Sequence, residues 1–210
     1  MDTKTRILQA AVRLFGEHGL KGASIRDICS EADANIAAVN YYFGGKDPLY
    51  AQVIRSVCNG VMELEPMPEG TPGETGEDRL CAWISWYIQR QRDERYMSFM
   101  EFVRREIADP TPMLKEIAEQ VIEPVLFELR SRIAALLPVG TSEEIINLHC
   151  GLVNGPALAR VLMAPMHLQM DHHQSASDDL DQLIEYTQRS VMASLKVHGA
   201  EISDRWELVR

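Results

Sequence analysis

The sequence predicts an all-α protein of about nine helices, a three-helix N-terminal domain of helix-turn-helix type followed by a larger helical domain. Three observations predict it. Apolar residues recur at helical spacing along most of the chain, and no alternating strand pattern occurs. Helix-capping residues stand where that periodicity starts: Ser24, Asn35, and Asp47 with Pro48. One stretch rich in Pro, Gly and Glu, EPMPEGTPGETGED at 65–78, interrupts the pattern and reads as a loop between two helical parts.

Taken in order, Ile7, Leu8, Ala11, Leu14 and Phe15 form the apolar stripe of a first helix, and Gly19 stands where a left-handed C-terminal cap is expected. Ser24 precedes Ile25 and Ile28 and lies three residues before Asp27, an N-cap with an acidic first turn. Asn35 caps a third short helix that ends near Phe43, Gly44 and Gly45. A fourth helix opens at Asp47-Pro48. Beyond the loop, helices are expected over 76–93, 95–108, 112–137, 142–166 and 177–198. Gly155-Pro156 falls inside an apolar helix, and a kink is expected there because proline removes an intrahelical bond. The domain boundaries read as 1–47 for the helix-turn-helix domain, 48–64 for a linking helix and 76–210 for the second domain.

Composition excludes several classes. Hydrophobic residues make up 46% and charged residues 25% of the 210, the usual range of a globular chain. No run of about 18 apolar residues predicts a transmembrane helix, and the amphipathic start MDTKTRILQAAVRLF lacks a cleavage-like tail. No membrane partner is therefore expected. Cys29, Cys58, Cys81 and Cys150 are widely spaced with no CxxC pair, which points to reduced thiols in a cytoplasmic protein. The net charge of −10 is unevenly placed. Of the 21 basic and 31 acidic residues, 7 and 6 fall in residues 1–57, which leaves 14 and 25 for the rest. The acidity belongs to the C-terminal three-quarters of the chain, so it does not argue against nucleic acid at the first domain.

Three short helices in about 45 residues, the last two separated by only Glu31 to Ala34, spell helix-turn-helix. The third must bury one face and offer the other to a major groove. Val39 and Phe43, four residues apart, share the inner face. Asn35, Ile36, Ala37, Ala38, Asn40, Tyr41 and Tyr42 occupy the remainder. The alanines permit close approach to base edges and thymine methyls, and Asn40 both donates and accepts. Tyr41, Tyr42, Ser24, Arg26 and Lys46 are the candidate phosphate contacts.

The segment TRILQAAVRLFGEHGLKGASIRDICSEADANIAAVNYYFGGKDPLY resembles the DNA-binding domain of the TetR/AcrR family of bacterial transcriptional regulators. The resemblance rests on Ala11 with Phe15, the glycine turn, Ser24 with Ile28, and the ending Phe43 and Lys46. Asn40 and Tyr42 stand where most relatives carry tyrosine and histidine. That departure looks like the CecR-like branch. The stretch REIADPTPMLKEIAEQVIEPVLFELRSRI also looks CecR-like, more loosely. The resemblance implies a ligand-responsive regulator, most often a repressor, with double-stranded operator DNA and a small-molecule effector as partners, and a C-terminal ligand-binding and dimerisation domain.

Within that domain, helices 142–166 and 177–198 carry the dimer candidates Leu148, Leu152, Leu158, Leu162, Leu183, Tyr186 and Val191. Paired across a two-fold axis they would match a palindromic operator. The alternative is that both helices simply complete the core of one chain. Aromatic bulk at Trp83, Trp86, Tyr87, Phe99, Met100 and Val103, with Arg104 as a polar partner, suggests a pocket for a partly apolar effector. Plain core packing is the competing reading. Neither a catalytic motif nor a cofactor-binding motif is present, so no enzyme activity and no cofactor are expected. Metal sensing through His167, Asp171, His172 and His173, redox sensing through Cys29, and transcriptional activation remain alternatives.

Overall fold

The computed structural model describes residues 1–169 and 179–207, with side chains at 1–163 and 179–199. Asp2 opens α1 (Thr3–Gly22) by accepting the Thr5 amide at 2.7 Å. The helix buries Ile7, Ala10, Ala11, Leu14 and Phe15, one face at i, i+3, i+4 spacing. Gly19 interrupts it at φ 70, a conformation that glycine adopts without steric cost. There follow α2 (Ile25–Glu31), α3 (Ile36–Phe43), α4 (Lys46–Met62) and α5 (Gly76–Gln89) with a 3-10 turn at Arg90–Arg92. Next come α6 (Glu94–Ala108), α7 (Met113–Ile117), a π turn (Ala118–Ile122) and α8 (Glu123–Ala134). The last two are α9 (Glu143–Gln169) and α10 (Leu180–Glu207). Counting α7, the π turn and α8 as one contiguous helical segment, the described residues hold nine helices and no strand.

Packing divides the chain into two compact units. The first comprises Met1–Leu64 and Asp93–Val121. In it α1 packs on α2, α3, α4 and α6, and α4 packs on α6 and α7. Phe15 meets Tyr50 edge-on at 5.0 Å between ring centres. Tyr50 donates its hydroxyl to the buried carboxylate of Glu106 at 2.7 Å, and Thr111 donates its amide to the same group at 2.9 Å. Burial and then the Glu106 hydrogen bond push the Tyr50 phenol well above its ordinary pKa, so it stays a donor at physiological pH. Arg105 bonds the Gly16 and Glu17 carbonyls just before the Gly19 break. The grouping of α6 and α7 with α1–α4 follows from these bonds and from the burial of Phe99, Phe102 and Val103.

The second unit comprises Glu65–Arg92 and Ile122–Arg210, with α5, α8, α9 and α10 around one apolar core. Trp83 lies at its centre, stacked on Tyr87 at 5.1 Å, with Leu129, Ile133, Val153 and Ile184 in the same cluster. Thr75 and Asp78 close a reciprocal capping box on α5. The Pro/Gly-rich stretch lies against this unit, because Trp86 donates its indole N–H to the Glu65 carbonyl at 2.8 Å and Arg132 bonds the Pro68 carbonyl at 2.7 Å.

Several expected boundaries change. The helix expected over 112–137 is interrupted by the π turn, for which Pro124 supplies the reason. Proline has no N–H for the carbonyl four residues back, and its ring crowds that carbonyl, so the preceding turn widens. The helix expected over 76–93 stops at Gln89, and Asp93 caps α6 through the Arg95 amide at 2.8 Å. By contrast α9 runs unbroken through Gly155-Pro156, and the expected kink does not interrupt it. Glu143–Met163 of α9 is long and apolar enough to cross a membrane by length and composition, and it packs on α8 and α10.

His149 of α9 is buried, 3.3 Å from the Ser194 hydroxyl and edge-on to His198 at 5.7 Å between ring centres. Burial, then repulsion from His198, holds His149 below its ordinary pKa. Such a group stays neutral when folded and takes a proton on unfolding once pH drops below the free imidazole value of about 6.5. Its stabilising contribution is complete above that pH and is lost as pH falls towards the lowered folded value. Thermal unfolding followed between about pH 7.5 and about pH 5.5 is expected to show a fall in melting temperature that is smaller for His149→Asn. Parallel falls in both chains would contradict this role.

Candidate nucleic-acid interface

The candidate interface comprises two short helices and the turn between them. Ser24 caps α2: its hydroxyl oxygen accepts the Asp27 amide at 3.1 Å and its proton goes to the Asp27 carboxylate at 2.6 Å. In the folded chain this hydroxyl is already engaged, whereas Arg26 on the first turn is exposed. At the other end of α2 the Ala32 amide bonds the Ile28 carbonyl at 3.0 Å and the Ala34 amide bonds the Cys29 carbonyl at 2.9 Å. Asp33 between them sits at φ 46. Asn35 then caps α3, its side-chain oxygen accepting the Ala38 amide at 2.8 Å. That bond leaves the exposed Asn35 with its NH2 group as the outward donor.

Val39 and Phe43 are buried, and this seating fixes the opposite face of α3. Ile36, Ala37, Asn40, Tyr41 and Tyr42 are exposed, Tyr41 at 83%, and Ala38 is half-buried. The Tyr41 and Tyr42 rings touch edge-on at 5.0 Å. Gly44 ends α3 at φ 81, its amide bonding the Asn40 carbonyl at 3.0 Å, and Gly45 follows at φ 126. The two glycines allow the reversal that puts half-buried Lys46 at the first position of α4. Side by side the surface offers an amide, two phenols, small apolar contacts and flanking cations, a set suited to base edges and phosphates.

One contributor was not visible in the sequence pattern. Arg6 of α1 bonds the Ala32 and Asp33 carbonyls of the turn. Its partners lie 26 and 27 residues away, and such a reach leaves no trace in local periodicity.

The remaining candidates are dispersed. Trp83, Trp86 and Tyr87 are buried in the second unit, with the Arg90 guanidinium 4.7 Å above the Trp86 ring. Phe99, Met100 and Val103 are buried in α6 of the first unit, where Arg104 pairs with Glu101 at 2.5 Å. Of the dimer candidates, Leu148 and Tyr186 are 67% and 66% exposed, Leu152 and Leu162 are also exposed, and Leu158 and Leu183 are half-buried. Val191 is corrected: it is fully buried in the core of its own unit and has no surface to offer a second chain. His167, Asp171, His172 and His173 lie outside the residues whose side chains are described. Cys29 is buried, and burial pushes its thiol up, away from the reactive thiolate.

Residues 7–53 match the family described as "Bacterial regulatory proteins, tetR family". Residues 77–196 match the C-terminal domain of the HTH-type transcriptional dual regulator CecR, more than half of the chain. The chain belongs to the TetR family. Within it, the CecR-type C-terminal domain follows the expected branch, and the family is one of regulators rather than enzymes. The chain is 28% identical to CecR of Shigella flexneri over 171 residues, 75% of each chain. It is likewise 28% identical to the probable regulator YttP of Bacillus subtilis over 132 residues, 61% of this chain and 63% of YttP, less than two thirds of that relative's length. Among solved structures, the flavonoid-responsive regulator FrrA superposes with a TM-score of 0.59 at 21% identity, over 91% of this chain and 96% of that one. HlyIIR, a hemolysin II transcriptional regulator, superposes at 0.56 and 22% identity, over 88% and 96%. At these identities the two structures speak for the fold alone.

Proposed function

We propose that this TetR-family chain is a ligand-responsive transcriptional regulator in the bacterial cytoplasm that binds a palindromic operator as a homodimer and is released by a partly apolar small molecule. The observation that carries the DNA-binding part is α3: its inner face is fixed by Val39 and Phe43, and its outer face leaves Ile36, Ala37, Asn40, Tyr41 and Tyr42 exposed. Asn40 and the small residues read bases, while Tyr42, Arg26 and Lys46 hold phosphates. In chain order, 1–47 serves DNA, 48–64 links and 76–210 serves effector and partner. Support for an effector comes from the aromatic cluster of the second unit, where the Trp83 indole N–H, fully buried, has no hydrogen-bond partner among the described residues. A ligand acceptor atom would satisfy it. Release is a population shift: the effector favours a spacing of the two recognition helices that no longer fits successive major grooves. CecR is named a dual regulator, so activation stands beside repression as a second reading.

The test separates reading from holding. Lys46→Ala or Tyr42→Phe is expected to weaken binding to all duplexes about equally, and Lys46→Ala to reduce the salt slope by about 1. Asn40→Ala or Ala38→Leu is expected to change the preference among operator sequences, by about 1–3 kcal/mol at the base pair concerned. Anisotropy titrations against a panel of single-base operator variants check both. Equal losses across the panel for Asn40→Ala would remove its base-reading role.

A further inference from the structure

We infer that Arg6 is a positioning residue for DNA recognition: its forked guanidinium, held between the Ala32 and Asp33 carbonyls, sets the angle at which α3 is presented. Its Nε donates to the Ala32 carbonyl at 2.9 Å and an Nη to the Asp33 carbonyl at 3.0 Å. The inference rests on the proposed DNA-binding role of α3.

The turn needs such a device. Asp33 is the only non-glycine residue at positive φ among the described residues, in the left-handed region that aspartate adopts more readily than most side chains. On its amide side the turn is tied by the Ala32 and Ala34 bonds to the Ile28 and Cys29 carbonyls. On its carbonyl side the tie is Arg6. These carbonyls stand at and just beyond the C-terminal end of α2, where the helix leaves acceptors unsatisfied and attracts a cation. Residue 33 is two residues from the N-cap of α3, so a rotation there swings the whole recognition helix as a lever. Arg6 is half-buried beside fully buried Ile7, so α1 carries its side chain to the turn from a fixed base. Two donors in one rigid fork fit two adjacent carbonyls, whereas lysine has a single ammonium to offer.

Three measurements on the 210-residue chain test this: anisotropy titration of a selected operator duplex over a salt series, amide exchange at Ala34, and thermal melting. Arg6→Lys keeps the charge and is expected to fold with a near-parental melting temperature, yet to bind operator more weakly, exchange faster at Ala34 and discriminate less among operator variants. Arg6→Ala is expected to lose about tenfold in affinity, the equivalent of roughly one charge-assisted hydrogen bond, with the salt slope unchanged. A salt slope lowered by about 1 in Arg6→Ala would make Arg6 a phosphate contact and overturn the inference. Parental affinity and parental Ala34 exchange in Arg6→Lys would overturn it as well, because the fork would then be unnecessary. If the parent chain itself binds no duplex, the DNA-binding reading fails instead, and the Ala34 exchange of the two variants still decides whether Arg6 holds the turn.

Discussion

A Phe43→Ala chain loses operator binding because α3 loses its seat. Phe43 is 7% exposed and shares the inner face of α3 with Val39, which is fully buried. Truncation of a buried aromatic costs about 3–5 kcal/mol. Domains of this size are stable by about 5–15 kcal/mol in all, so the change removes a large share of the first unit's stability. Urea unfolding followed by far-UV circular dichroism is expected to show an earlier transition. The control is Tyr41→Ala, which removes a larger side chain at a site 83% exposed and is expected to stay within about 0.5 kcal/mol of the parent while weakening DNA binding. Similar unfolding midpoints for Phe43→Ala and the parent would contradict the buried-face assignment. Impaired folding in Tyr41→Ala would contradict the assignment of the exposed face.

The second large effect concerns the surface of α9 and α10. Leu148 and Tyr186 leave about two thirds of their surface in solvent, at 67% and 66%. Leu152 and Leu162 on α9 are each 40% exposed, which makes a run of apolar side chains along the outside of these helices. If a second copy covers that run, Leu148→Glu combined with Tyr186→Glu sets carboxylates against each other across a two-fold axis. The expected result is a monomer by light scattering. A fall of at least about a hundredfold in operator affinity is expected with it, because each half-site then binds without the gain of linkage. A dimer that persists in the double variant would move the interface elsewhere. Val191→Ala probes a different property: its fully buried side chain predicts a loss of stability in the second unit with oligomeric state retained.

What the sequence disclosed follows from the range over which each interaction acts. Val39 and Phe43 lie four apart on one helix, and Ser24 and Asn35 cap the third residue beyond them, so both signals are local. Gly44 and Gly45 mark the reversal after α3 for the same reason. The bonds that organise the first unit are long-range. Arg6 reaches the turn 26 residues on, Tyr50 reaches Glu106 56 residues on, and Arg105 reaches back 89 residues to Gly16. No periodicity encodes such pairs, and so the association of α6 with α1 and α4 emerged only from packing. The aromatic stretch 83–104 shows the same limit. Its helical spacing marks burial, and burial alone does not say which unit receives each residue: Trp83 goes to one core and Phe99 to the other. The widened turn before Pro124 likewise interrupts a stretch whose periodicity reads as one helix.

Selection of bound duplexes from a random DNA pool tests the central claim most directly. Exposed α3 faces presented twice across a two-fold axis predict enrichment of a palindromic sequence, with half-sites one or more helical turns apart, about 10 base pairs centre to centre per turn. Binding to the selected duplex should fall steeply with salt and should be lost in Phe43→Ala. A pool that emerges without an enriched sequence, from a folded parent chain, would contradict the account.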